Sequence, residues 1–345
     1  MKSNMKHILK IVSLFSVLCV VAVLICMNVF AEESGDDTVL CEHTAEIIAS
    51  NISLDKDITL KYYVKLCDCY KGAKMVFSFG GKSITKAAYY DAEADEYIFA
   101  LTKIAPQAMG DLIDAELVFE DEVIAVKEDY SVLENCKNLL EKHPDNEKLQ
   151  YLIKSLLNYG AAVQNYRDYN IDAMVNAGFE IDSLRPGQSD SVKDIINDGG
   201  EADVMAANIT FDNETKVFIK VKCDYEPTVT INGVPVKAVY QEIENDVEAE
   251  ETDETEEPSE TEEEPSETEE ELSSGIWLLY TEGITPDKFD ETITFVITSN
   301  DPVTELTYSV NSYVYSMLDS QKASMRNLAM ALYTYGIAVE SYLAA

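Results

Sequence analysis

The chain has little with which to do chemistry. Among its 345 residues are three histidines and one tryptophan, and neither a Gly-x-Ser-x-Gly elbow nor a His-Glu-x-x-His helix is present. His43 and His143 lack the sequence neighbours that acid–base or zinc chemistry needs. Gly80-Gly81-Lys82-Ser83 ends like a phosphate-binding loop, but the first glycine of that motif falls on Val76, so the segment reads as a hairpin turn. Asp194-Ile195-Ile196-Asn197-Asp198-Gly199 misses the alternating oxygens of a calcium loop. We therefore expect no enzyme, no cofactor and no catalytic residues.

Positive charge is scarce as well. Lys and Arg number 26 against 64 Asp and Glu, a net charge of −38. A nucleic-acid backbone would be repelled, so no nucleic-acid partner is expected. Of the carboxylates, 18 fall between Glu242 and Glu271. Residues 242–274 hold almost nothing apolar to offset the entropy of ordering, and read as a disordered acidic insertion.

Seven cysteines are few for a disulfide framework. Cys19 and Cys26 fall in the N-terminal apolar run, which leaves the odd, scattered set Cys41, Cys67, Cys69, Cys136 and Cys223. Cys67-Asp68-Cys69 invites a metal or redox reading, but no second pair or histidine accompanies it in sequence. Small buried thiols or one incidental bridge are expected, and no metal.

What is present begins with an export signature. Lys2, Lys6 and Lys10 precede an apolar run from Ile11 to Phe30, and Val29-Phe30-Ala31 offers a small-residue cleavage site. Residues 1–31 read as a signal peptide. The run also approaches the roughly 20 residues that span a bilayer, so an uncleaved anchor is the alternative. Either way the protein is expected outside the cell, secreted or at the surface, touching membrane only through this segment.

The rest of the chain repeats itself. Tyr159-Gly160-Ala161-Ala162-Val163-Gln164-Asn165-Tyr166 returns as Tyr335-Gly336-Ile337-Ala338-Val339-Glu340-Ser341-Tyr342. Ile104-Ala105-Pro106 matches Ile284-Thr285-Pro286, and Tyr130-Ser131-Val132 matches Tyr308-Ser309-Val310, all in one order. Period-2 patterns predict strands at 45–54, 60–66, 75–79, 97–101, 112–119 and 123–126, then at 205–211, 217–223, 229–231, 234–240 and 276–280. Period-3.6 patterns predict helices at 131–141 and 149–166, and again through Met325, Leu332 and Tyr342. The acidic run falls between two strands of the second half, as an inserted loop. A mid-helix glycine costs about 1 kcal/mol, so its recurrence predicts a close approach to sheet or partner helix. Tyr159, Tyr166, Tyr335 and Tyr342 are expected to pack on the sheet.

The fold class expected is α+β: two homologous units, each a β-sandwich-like set of short antiparallel strands followed by a helical hairpin. The first occupies 40–170, a connection 171–202, and the second 203–345 with the insertion. Asn51-Ile52-Ser53-Leu54, Leu156-Leu157-Asn158-Tyr159-Gly160-Ala161-Ala162 and Tyr169-Asn170-Ile171-Asp172-Ala173-Met174-Val175-Asn176-Ala177-Gly178 resemble an uncharacterised duplicated β-plus-helical-hairpin module. That module occurs in secreted or surface proteins of gut clostridia and related Gram-positive bacteria. The resemblance implies export and architecture but transfers no site residues.

Three functions remain open. The leading one is a non-catalytic binding or adhesion module for a cell-wall polymer, a dietary or host glycan, or another surface protein. Its candidate ligand-binding residues are the strand aromatics Trp277, Tyr280, Tyr89, Tyr90 and Tyr97. Against this, a lone tryptophan in an apolar strand, here with Tyr280 near it, usually packs inward. A structural spacer and an unrecognised carbohydrate-active hydrolase are the alternatives.

Overall fold

The computed structural model describes residues 43–179, 181–185, 202–241, 275–299 and 303–344. The expected signal, Cys41 and the acidic run 242–274 lie outside the described residues, as does part of the 171–202 connection. By contact the chain divides into Met1–Glu42 and a second compact unit, His43–Ala345, which contains every described residue.

The fold is α+β. Eight strands come first: β1 (Ala45–Leu54), β2 (Ile58–Leu66), β3 (Lys74–Phe79), β4 (Lys82–Ala87), β5 (Tyr89–Asp91), β6 (Glu96–Ile104), β7 (Ile113–Phe119) and β8 (Glu122–Tyr130). Two helices follow, α1 (Val132–Lys142) and α2 (Glu147–Arg167). The second series is β9 (Asp203–Ile209), β10 (Val217–Cys223), β11 (Thr228–Ile231), β12 (Val234–Val236), β13 (Val239–Gln241), β14 (Gly275–Tyr280), β15 (Ile293–Thr298) and β16 (Thr304–Tyr308). It closes with α3 (Val310–Met317) and α4 (Ala323–Leu343).

The strands form four antiparallel sheets of four: β1-β2-β6-β5, β4-β3-β7-β8, β9-β10-β14-β13 and β12-β11-β15-β16. Adding eight to each strand number of the first two orders gives the last two. Alternation explains the buried layer. Leu60, Tyr62 and Val64 on β2 and Phe99 and Leu101 on β6 turn inward, as do Met75 and Phe77 on β3 and Ala115 and Leu117 on β7. The rings of Tyr62 and Phe77, on different sheets, lie 5.7 Å apart. The first two sheets thus share one core.

Several strands escaped the sequence pattern. β4 and β5 are exposed edge strands with no buried residue to give a period. The expected strand 234–240 is two strands in different sheets, broken at Lys237-Ala238. Gly80 and Gly81 do form a two-residue hairpin turn, with φ of 54° and 73° and Phe79 paired with Lys82. β13 and β14, which flank the acidic run, pair antiparallel with Tyr240 opposite Trp277. The run therefore leaves and re-enters at one end of one sheet.

The repeated motifs converge on one construction. Tyr130 and Tyr308 end their strands, and Ser131 and Ser309 cap the helices by accepting from Glu134 N and Ser312 N, each at 3.0 Å. Pro106 and Pro286 open 3₁₀ turns, whose following residues accept from the helices: Leu133 N to Met109 O at 2.8 Å, and Asn311 N to Phe289 O at 2.9 Å. A β-carbon on Gly160 would stand 2.9 Å from Pro106 O, and one on Gly336 3.3 Å from Pro286 O. Each glycine lets its helix meet a turn, where sheet or helix contact was expected.

The two long helices pack on each other. Tyr159 and Tyr335 are buried and stack with centroids 5.7 Å apart and planes 6° from parallel. Expected to pack on a sheet, these two rings meet each other across the helix pair. Tyr166 instead lies 6.1 Å from Phe211. Ion pairs join the halves too, Arg167 to Asp212 at 2.6 Å and Lys103 to Glu214 at 3.4 Å.

Candidate functional site

The five candidate aromatics do not form one surface. Period-2 geometry puts Trp277 and Tyr280, three residues apart on β14, on opposite faces. Trp277 is buried at 6% exposure. Tyr280 is on the outer face, 5.4 Å from Phe218, its cross-strand partner on β10. Likewise Tyr89 and Tyr90 diverge: Tyr89 is the most open at 70% exposure, while Tyr90 turns toward Tyr97, with centroids 4.9 Å apart. The Tyr90 hydroxyl donates to Asp95 at 2.7 Å, and this bond, above all, raises its pKa.

Matching Ile104 with Ile284 places Tyr97 on Trp277, and both have an aromatic partner on the edge strand. Tyr90 stands opposite Tyr97, and Tyr240 stands opposite Trp277, edge-on at 5.1 Å. Tyr90 is 45% exposed and Tyr240 46%. A β-carbon on Gly275 would come 2.6 Å from the Tyr240 ring, so this glycine makes the seat for the tyrosine. The same edge position thus carries an inner ring and a half-open outer ring in both halves. Sequence reading missed Tyr240 because the acidic insertion hides its alignment with Tyr90.

A second feature lies in the first half. Between β1 and α1 is a cleft of about 330 Å³ lined by, among others, Tyr62, Lys127, Tyr130, Asn135 and Lys142. Asn135 Nδ2 donates to Tyr130 Oη at 3.2 Å, but Asn135 Oδ1 and Tyr62 Oη have no protein partner although buried. Burial, reinforced by Tyr130 and Asp114, pushes the Tyr62 hydroxyl above its usual range. By the same alignment these positions hold Ile219 and Tyr313 in the second half, both buried. The cleft offers hydrogen bonds and two ammonium groups suited to a hydroxylated or carboxylated ligand.

Cys67 and Cys69 form a disulfide, and Cys136 and Cys223 are free and buried. Burial pushes the Cys136 thiol up to about 12, so it is inert. Among the described residues no helix is long and apolar enough to cross a membrane. No model of a known protein family matches the chain, and no curated protein matches it either.

Proposed function

We propose that the protein is an exported, non-catalytic module that binds a glycan or wall polymer at the cell surface. In this reading residues 1–31 direct export, and two homologous β-sandwich units with helical hairpins arose by duplication, as the matching strand orders support. The observation that carries the binding function is the recurrence of an aromatic pair at one edge position, Tyr90 with Tyr97 and Tyr240 with Trp277, each leaving an outer ring nearly half exposed. The apolar face of a sugar ring stacks on such a surface, and two sites on one chain raise avidity on a polymer. The cleft beside α1 adds hydrogen-bonding groups of the same chemical taste.

The test is retention of the protein on insoluble cell-wall, plant and mucin polysaccharides, with released sugars assayed in parallel. Retention without release, lost in the Tyr90→Ala, Tyr240→Ala double variant, is expected. Released sugar would point to a hydrolase, and failure to bind any matrix would overturn the reading. A structural spacer is the second reading, favoured by the burial of Trp277, which makes the second inner ring a core residue.

A further inference from the structure

We propose that His43, Cys67 and Cys69 form a thiol-gated site for a single thiophilic divalent cation, with Zn²⁺ the best fit. In sequence the Cys67-Asp68-Cys69 motif lacked a histidine partner; the fold supplies one. Cys67 N donates to Thr44 O at 3.0 Å, extending the β1–β2 ladder beyond the Ala45–Leu66 pair. This brings His43 Nδ1 to 3.2 Å from Cys69 Sγ, and the three donor atoms lie within 4.8 Å of one another. Tyr70, at the end of the 3₁₀ turn after Cys67, lies 5.9 Å from the imidazole and packs edge-on against Phe119. The imidazole therefore lies beside a ring that itself packs on β7.

Zinc–sulfur bonds of about 2.3 Å and zinc–nitrogen bonds of about 2.0–2.1 Å in a tetrahedron need donor separations of roughly 3.5–3.8 Å. The His43–Cys69 distance is already within a few tenths of this, so occupancy asks mainly that the two sulfurs part. Bridge and metal thus compete for the same two sulfur atoms. A dithiol opens the site: the disulfide takes two electrons and two protons and the reductant becomes its own disulfide. The cation then displaces both thiol protons, and water fills the fourth position. His43 is exposed and both cysteines are half-buried, so ion and reductant can reach them. The fold does not need the bridge. At the matching turn after β10 the second half carries Asp224 and Glu226 in place of the cysteines, and β10 still leads into β11 of a different sheet.

The test is Co²⁺ titration of the full chain, oxidised or reduced with dithiothreitol and then freed of reductant under argon. The reduced chain should take up one equivalent with a thiolate-to-cobalt charge-transfer band that Zn²⁺ abolishes, and the oxidised chain none. Cys67→Ser with Cys69→Ser should lose the band. The exposed His43→Gln variant should keep it but bind more weakly, and Cys41→Ser should bind as wild type. Equal binding by the oxidised chain, no binding by the reduced one, or dependence on Cys41 but not His43 would overturn the proposal.

Discussion

Replacing each repeated glycine by alanine should give two different answers. An exposed helix gains about 1 kcal/mol from Gly→Ala, because alanine restricts the unfolded chain and covers backbone. At Gly160 the new methyl meets the backbone oxygen of Pro106 at 2.9 Å and Val175 at 3.1 Å, and it collides with the end of Met109, which is fully buried. The carbonyl belongs to a hydrogen-bonded turn and cannot swing away, so backbone opposes the methyl even where the flexible end of Met109 bends aside. Overpacking of this kind costs about 1–3 kcal/mol. Taking the upper part of that range, Gly160→Ala should lose about 1–2 kcal/mol net. At Gly336 the closest atoms are the Phe289 ring edge at 3.0 Å and Pro286 O at 3.3 Å. A few tenths of an ångström of ring movement relieves this, so gain and cost should nearly cancel, to within about 0.5 kcal/mol. Urea unfolding of the two single variants measures the contrast, with the slope against denaturant unchanged. If Gly160→Ala proves as stable as wild type, or Gly336→Ala the more damaging, the turn contact does not explain why the glycines recur.

Because β13 and β14 pair at Tyr240 and Trp277, deleting Glu248–Glu271 shortens a loop whose ends are already adjacent. Closure entropy then favours the folded chain by about 1 kcal/mol, and the melting temperature should stay level or rise slightly; a collapse would show that the acidic run holds the fold together. Two carboxylates should respond to pH with opposite sign. The Glu214 carboxyl is held below its usual range by Lys216 and then by Lys103, so it contributes stability above the unfolded pKa that is lost as pH falls through the folded one. Burial, then Asp290 and Asp287, raise Glu340, so that group costs stability as pH rises through the carboxylate range. Melting curves should therefore show Glu214→Gln destabilising and Glu340→Gln stabilising at neutral pH, both differences shrinking in acid; effects of one sign at all pH values would refute the assignment.

The repeated residues could be read from sequence because the fold needs each of them twice. Tyr-Ser-Val is a strand end, a cap and a first helical residue, and Ile-x-Pro leads into a 3₁₀ turn. The glycine is where the long helix crosses that turn. Local propensity and buried period agree at these places, and such agreement is what a single sequence can reveal. β4 and β5 were invisible because an exposed edge strand owes its structure to a neighbour across the ladder, not to its own pattern. The stacking of Tyr159 on Tyr335 was hidden for a related reason: periodicity shows that a ring is buried, not what it is buried against. Two of the candidate sites lie where the halves differ. Tyr62 and Asn135 face Ile219 and Tyr313 in the alignment, and Cys67 and Cys69 face Asp224 and Glu226. Tyr90 and Tyr240 are alike, but an insertion of unequal length separates them from the landmarks that would align them. Repetition therefore locates what holds this chain together, and a ligand acting on one half alone must be sought at the positions that repetition leaves out.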